Sequence, residues 1–465
     1  MLSSTATSEG DRHVLTINNL TGRSIVLNRP KALNSLTHPM IKSIQRHLLE
    51  YEQSDLCDVV VMRSNSTKAF CAGGDVVQVS QQWKAGDRRG AVTFFQDEYQ
   101  TNHLIASFKK PLVALLNGYT MGGGVGLSVH APFRVATESA VFAMPETKIG
   151  FFPDVGATFF LPRLDGQTGT YLGLTGSWLR GRDLLYAGIA THYVPSERLP
   201  MLEKRLQELG TKDHSVVNEA IEEFAAQPED GAQMEYSLGD VRGSIDRCFG
   251  FNNVEAILEA LRQETENKEW AEKTLQTLGQ MSPSSLKITL EQLRMGARLN
   301  IQQAFALELH LAEGRLFSHD MHEGIDALLV RKAKEGAQWD PSTVAAVDMN
   351  ALHKEYFQMQ PAVDAEDPSA AHGANQRMNP AIRFKTDAAF TEYPHKFGLP
   401  TEREIMDVVS GDNPQAGDFG MDRSQVLSFF DRMYSSKVGV KQKVSWVLDR
   451  TTRMGKNSEV LRLIK

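Results

Sequence analysis

Residues 112–130 read LVALLNGYTMGGGVGLSVH. An unbroken apolar run, LVALLN, passes through Asn117-Gly118 into Gly122-Gly123-Gly124 at the start of a helical pattern. Glycine inside a helix costs about 1 kcal/mol relative to alanine. Three in succession therefore imply a need for bare backbone. At a helix N-terminus the leading amides have no intrahelical partner and together carry roughly half a positive charge. Such a turn binds an anion, or a carbonyl oxygen that is becoming one. The same stretch sets the fold class, because a strand apolar at every position is buried on both faces. That is the mark of a largely parallel sheet covered by helices.

Outward from this centre, SIVLN (24–28), DVVVMRS (58–64) and FRVAT (133–137) read as further strands, with helical patterns between them. Thr37 stands where it would cap a helix that carries Ile41, Ile44 and Leu48 along one face. From Arg198 to about Lys334 the pattern is mostly helical, as in VEAILEALRQETE and SLKITLEQLRMGARL. Residues 361–380, PAVDAEDPSAAHGANQRMNP, are poor in large apolar side chains. The expected organisation is a short tail over residues 1–20 and an α/β catalytic domain over 21–340. A linker or loop follows over 341–380, then a helical extension over 381–465.

Composition narrows the function. The 465 residues are 41% hydrophobic and 23% charged with a net charge of −7, which argues against a protein-wide nucleic-acid footprint. Cys57, Cys71 and Cys248 form no CxxC pair, so neither a disulfide framework nor a metal site is expected. No apolar run approaches the roughly 18 residues of a membrane helix. The N-terminal MLSSTATSEGDRHVL is Ser/Thr-rich, but Glu9 and Asp11 precede its first arginine, Arg12, which makes a poor transit peptide. Charge is unevenly spread. From Ser436 to Lys465 eight basic residues (Lys437, Lys441, Lys443, Arg450, Arg453, Lys456, Arg462, Lys465) face only Asp449 and Glu459.

A second glycine turn lies in AFCAGGDV (69–76), just beyond the strand DVVVMRS. Each turn alone reads equally as a tight bend. Two of them at the ends of neighbouring strands could aim two N–H groups at one carbonyl oxygen, an oxyanion hole worth roughly 3–4 kcal/mol per donor in the transition state. A phosphate loop is a poorer reading, because the lysine of GxxxxGK[ST] is missing. Acids come next. MPETKIGFFPDVGATFFLPRL (144–164) holds Glu146 and Asp154 among Phe142, Phe151 and Phe152, and Glu98 stands behind Phe94 and Phe95. A carboxyl desolvated by such neighbours has a raised pKa, in the range useful for proton transfer. Taken singly, each acid also reads as a helix cap or a solvated face.

In order, NRPKALNSL, AFCAGGD, NGYTMGGGVGLS and FAMPETKIGFFPDVG resemble the crotonase (enoyl-CoA hydratase/isomerase) superfamily. With LTGSWLRGRDLLYAGIATHYV added, the chain more closely resembles the 3-hydroxyisobutyryl-CoA hydrolases. The likeness runs from about Ser24 to Lys334 and resumes weakly at HKFGLPTEREI. It implies a crotonase-like spiral of ββα repeats, followed by a helical C-terminal region.

The resemblance further implies oxyanion donors at the amides of Gly74 and Gly123, with Glu98, Gly123, Glu146 and Asp154 around the substrate. Glu146 would be the nucleophile or the base that activates water. Asp154 would position water or protonate the leaving thiolate, and Glu98 would meet the substrate's hydroxyl end. The KALN loop (Lys31, Ala32, Leu33, Asn34) and the pair Arg331 and Lys332 would contact CoA, which belongs to the substrate. No separate cofactor and no metal are implied. Hydratases of this fold place a second glutamate where this chain has Gly126, so hydration is disfavoured.

The activity implied is hydrolysis of 3-hydroxyisobutyryl-CoA in valine breakdown, in the mitochondrial matrix. The alternatives are another crotonase activity, such as enoyl-CoA hydratase, and a structural subunit of a mitochondrial small ribosomal subunit. Fungal members of the family take that last role, and the basic tail would suit RNA. Trimers are common in the superfamily, so a homo-oligomer is also implied.

Overall fold

A computed structural model describes residues 9–226, 234–358, 377–378, 381–416, 420–455 and 458–464. In chain order the strands of the first half are β1 (Val14–Asn19), β2 (Gly22–Leu27), β3 (Val59–Ser64), β4 (Ala69–Cys71) and β5 (Leu112–Leu116). They continue as β6 (Tyr119–Met121), β7 (Phe133–Ala136), β8 (Val141–Ala143), β9 (Leu179–Arg180) and β10 (His192–Tyr193). The larger sheet has the order β1-β2-β3-β5-β7-β10, and the smaller the order β4-β6-β8-β9. All neighbours pair in parallel except the edge strands β1 and β9.

The chain alternates between the sheets. Each long strand β3, β5 and β7 is followed at once by a short strand β4, β6 or β8, and then by helix. This is the expected ββα spiral. The long strands were legible because Val59–Met62 and all of Leu112–Leu116 are apolar and buried. The short ones have three residues each, too few for any alternation to show.

Several expectations change. Residues 14–19, assigned to a tail, form β1, paired antiparallel with β2 from Val14↔Leu27 to Asn19↔Gly22. Met1–Ser8 lie outside the described residues. Thr37 precedes the helix His38–Gln53, but its side chain makes no capping bond. The stretch expected as a linker begins with a packed helix, Met349–Tyr356, that buries Leu352 and Tyr356. Most of 361–380 lies outside the described residues.

Beyond it, residues 381–397 are not helical. They run as an irregular strap over the helices of the catalytic domain. Ala381 O accepts from Gln96, Ala388 O from the His103 imidazole and Thr391 O from Arg163. Phe384 stacks near His103, and Phe390 and Tyr393 lie edge-on to Phe159.

The C-terminal unit has its own small core. Helices Glu402–Ser410, Arg423–Met433 and Val440–Thr451 enclose Ile405, Val408, Val426, Phe430, Val444 and Val447. The end of the chain, expected as helix, is instead a hairpin of Thr452–Gly455 with Ser458–Leu463. Its basic residues are largely engaged. Lys437 pairs with Glu222, and Lys443, only 2% exposed, reaches Asp165 at 2.7 Å and Tyr186 O at 2.9 Å. Arg450 meets Glu402 at 2.6 Å, and Lys441 meets Asp431 at 3.3 Å. Much of the positive charge that made the tail look like an RNA-binding segment thus docks it onto the acidic body. Lys456 and Lys465 lie outside the described residues.

Glu402 is the centre of this docking, holding buried Arg242 at 3.1 Å as well as Arg450. Removing one partner of a buried ion pair costs about 3–5 kcal/mol, because the remaining charge stays desolvated. Glu402→Ala is expected to lower unfolding stability by an amount of that order and to speed proteolysis around residues 397–401. Urea denaturation and timed trypsin digestion measure both.

Candidate active site

The β4–β6 pairing, Ala69↔Tyr119 and Cys71↔Thr120, brings the two glycine turns together. Gly73 and Gly74 leave the end of β4, and Gly122 and Gly123 leave the end of β6. Leu36 fixes the first turn as a parallel bridge, donating to Gly73 O and accepting from Asp75 N, both at 2.8 Å. In that pattern the N–H of Gly74 itself points away from Leu36. Gly123 opens the helix Gly123–Gly126, so its N–H is one of that helix's unpaired leading donors. A Cβ on Gly123 would stand 3.2 Å from the Gly74 nitrogen and would strike Glu98 Oε1. The Gly74 and Gly123 backbones therefore lie side by side, and only glycine at 123 leaves the space between them open.

Two carboxyls, Glu98 and Glu146, border that space, and a third, Asp154, is close enough to perturb both; each has a raised pKa. Glu98 lies on the helix Arg88–Ala106. Burial, reinforced by the nearby Asp154, holds it well above the ordinary glutamate value. Glu146 follows β8, with Oε1 2.9 Å from where a Cβ on Gly122 would be. Burial and then Asp154 raise it in the same way. Asp154 is pushed up to about 7 by burial, partly offset by the Tyr99 hydroxyl that donates to Oδ2 at 2.7 Å. Glu98 Oε1 and Glu146 Oε2 are buried with no hydrogen-bond partner among the described residues. Desolvated and mutually repelling, the acids cannot all ionise together, so they titrate as a coupled group.

Asp154 sits on an unusual turn. Val155 has φ +53°, a conformation that costs a β-branched residue about 1–3 kcal/mol. Gly126 packs against this turn. A Cβ there would lie 2.7 Å from Val155 Cβ and 2.8 Å from Asn102 Oδ1. With Asn102 and Val155 in place, the glutamate that hydratases carry at this position has no room.

The expected CoA contacts are placed unevenly. Pro30–Ala32 is a 3₁₀ turn continued by Leu33, whose carbonyl accepts from Ala72 N at 3.0 Å. This pins the loop beside Gly73-Gly74, with Lys31 exposed. Lys332 is exposed after the segment Asp326–Val330, which packs on the helix Val76–Lys84. Arg331 is engaged by Asp326 at 2.6 Å and Glu323 at 3.1 Å, so its charge is already matched.

Sequence reasoning missed Tyr99, Asn102 and Glu308. Each sits inside a helix whose pattern explains it as packing. The signal available was an acid in the apolar run IQQAFALELHLAEGRL.

Residues 22–357 match the enoyl-CoA hydratase/isomerase family. The chain belongs to it. Among curated relatives, the small ribosomal subunit protein mS47 of Neurospora crassa is 42% identical over 455 residues, covering 94% of this chain and 85% of that protein. The mitochondrial 3-hydroxyisobutyryl-CoA hydrolases of Danio rerio and Homo sapiens are 44% and 42% identical, each over 71% of this chain and 85% of its own length. Among solved structures, a carnitinyl-CoA dehydratase from Mycobacterium thermoresistibile superposes with TM-score 0.69 at 34% identity, covering 76% of this chain and 99% of that one. An enoyl-CoA hydratase from Rhodobacter sphaeroides gives 0.66 at 32% identity, over 74% and 97%.

Among the described residues no helix is long and apolar enough to cross a membrane.

The Tyr99 hydroxyl stabilises the charged form of Asp154, so its loss must raise the proton affinity. A hydrogen bond to a charged group is worth about 1.5–3 kcal/mol. Tyr99→Phe is therefore expected to move the Asp154 titration upward by about 1–2 pH units. Isotope-edited infrared spectra, referenced to Asp154→Asn, follow that carboxyl directly.

Proposed function

We propose that the protein hydrolyses an acyl-CoA thioester, and that its substrate is 3-hydroxyisobutyryl-CoA. The observation that carries the reading is the adjacent pair of glycine turns at Gly74 and Gly123, with Glu98 and Glu146 beside them and raised by burial and by Asp154, while Gly126 is closed to a second hydratase glutamate. In this scheme the thioester oxygen lies between the two amides, which stabilise the tetrahedral oxyanion. Glu146, the acid against the Gly122-Gly123 turn, takes a proton as water attacks the carbonyl carbon. Asp154 returns a proton to the departing CoA thiolate, and the pair is reset by proton exchange. Glu98 stays neutral beside the oxyanion site, where a charge would oppose the reaction, and meets the substrate's hydroxyl end. The scheme draws on no metal and no cofactor, since CoA is part of the substrate. The relatives named mitochondrial hydrolases support both the substrate and a place in the mitochondrial matrix.

Glu146→Gln tests this assignment. It is expected to leave binding of the CoA ester within about threefold and to lower kcat by about 10²–10⁴-fold, the usual worth of an acid/base group. In the unmodified enzyme, kcat should fall as the pH drops and Glu146, the base, is protonated, and should fall again above about 7 as Asp154, the acid, loses its proton. Turnover unchanged by Glu146→Gln would remove the acid from the chemistry.

A second role is favoured by one finding. The mS47 match extends over 94% of the chain, whereas the family match ends at residue 357. The C-terminal unit is thus shared with a ribosomal protein, and membership of a mitochondrial small ribosomal subunit is compatible with an intact acid site. Co-sedimentation with mitochondrial ribosomes at low and high salt decides this, and recovery only in the free fraction at both would exclude it.

A further inference from the structure

Glu308 is fully buried in the helix Ile301–Leu316, far in sequence from every acid assigned to the reaction. A carboxyl in such a place needs strong partners. It has two, both backbone amides of the turn that carries Asp154: Gly156 N donates to Oε2 at 2.7 Å and Thr158 N to Oε1 at 2.8 Å. Both oxygens are therefore used on two amides, two residues apart, where the strained turn at Val155 (φ +53°) enters the helix Ala157–Phe160. The other side of that loop is held too. Val155 O accepts from His130 Nε2 at 2.7 Å. Since a carbonyl can only accept, Nε2 carries the proton, and Nδ1 accepts from the Tyr393 hydroxyl of the strap at 2.7 Å. The aspartate is thus aimed by a loop whose conformation is imposed from outside.

We propose that Glu308 is a positioning residue for the hydrolysis, fixing Asp154 at the thioester by clamping the amides of Gly156 and Thr158. This rests on the reading of Asp154 as the proton donor to the thiolate. The clamp acts twice. It fixes the turn in a geometry that Val155 would otherwise leave, and misplacement of a reacting group by about 1 Å costs of the order of 10²-fold in rate. It also sets a carboxyl near Asp154, so that the two acids titrate as a pair. Burial and Asp154 push Glu308 itself up to about 8, against the pull of the two amides. The other titratable groups facing this pair are Glu98, Glu146 and Tyr99 on the Asp154 side, with Tyr393 on the Glu308 side.

Glu308→Gln keeps the shape but loses the charge and one acceptor. The expected result is a folded protein with KM for the CoA ester within about threefold, kcat lowered about 10–100-fold and an Asp154 titration moved to lower pH. Wild-type kcat with an unmoved Asp154 titration would overturn the proposal. A coupling measurement separates clamping from general damage. Glycine adopts the Val155 backbone conformation without strain, so in a Val155→Gly background the added loss from Glu308→Gln should shrink to about threefold or less. An undiminished loss there also overturns it. If Glu308→Gln does not fold, Glu308→Asp keeps the charge but is one methylene too short to reach both amides. A folded Glu308→Asp protein with full kcat has the same force against the clamp. A wild-type protein without thioesterase activity would refute the functional reading alone, because the infrared titration of Asp154 in Glu308→Gln still judges the clamp.

Discussion

The site depends on the pairing of two three-residue strands. β4 and β6 share Ala69↔Tyr119 and Cys71↔Thr120, and each ends in a glycine turn. Without that pairing the amides of Gly74 and Gly123 would belong to separate loops. With it, they converge on one point, and Leu36 locks the first turn from behind by taking the bonds of Gly73 and Asp75. The large sheet holds β3 and β5 in register at Val60↔Leu112 through Met62↔Ala114. That register in turn carries β4 and β6 to the same level. In the proposed reaction a donor pair fixed before substrate arrives would stabilise developing charge without reorganising.

Around this fixed point the protein gathers buried carboxyls. Glu98, Glu146, Asp154 and Glu308 come from three separate parts of the chain, and each is raised by burial first and, for all but Asp154, by an acidic neighbour second. Desolvation of that size is tolerated because several oxygens are matched: Asp154 by Tyr99, and Glu308 by two amides. Of the oxygens unmatched among the described residues, Glu98 Oε1 lies against Gly123, while Glu146 Oε2 belongs to the acid whose other oxygen lies beside Gly122.

Charge also organises the rest of the chain. Lys437 and Lys443 reach Glu222 and Asp165, and Glu402 reaches Arg242, so the C-terminal unit docks through buried or half-buried ion pairs. The strap of residues 381–397 runs from that unit to the back of the site and ends on His130 through Tyr393. Val155 O and the Asp154 turn are therefore two hydrogen bonds from the C-terminal region. A charge imbalance that suggests an external partner in the sequence is, for these residues, internal complementarity.

What the amino-acid order determined by itself was whatever is continuous along the chain. Apolar strands at 59–62 and 112–116, glycine turns at 73–74 and 122–124, and acids at 146 and 154 among phenylalanines all follow from local composition. The likeness of these motifs to a known family supplied the roles. Tertiary structure alone decided the rest. Three-residue strands carry no periodicity, so β4, β6 and β8 emerge only when the long strands align them. Val14–Asn19 became β1 because the edge of the sheet offered it hydrogen bonds, not because its sequence demanded a strand. Glu308 and Tyr99 are ordinary helix residues until folding sets them against Asp154 and the turn that bears it. A pKa is a property of surroundings, and those surroundings come from residues up to about 150 positions away.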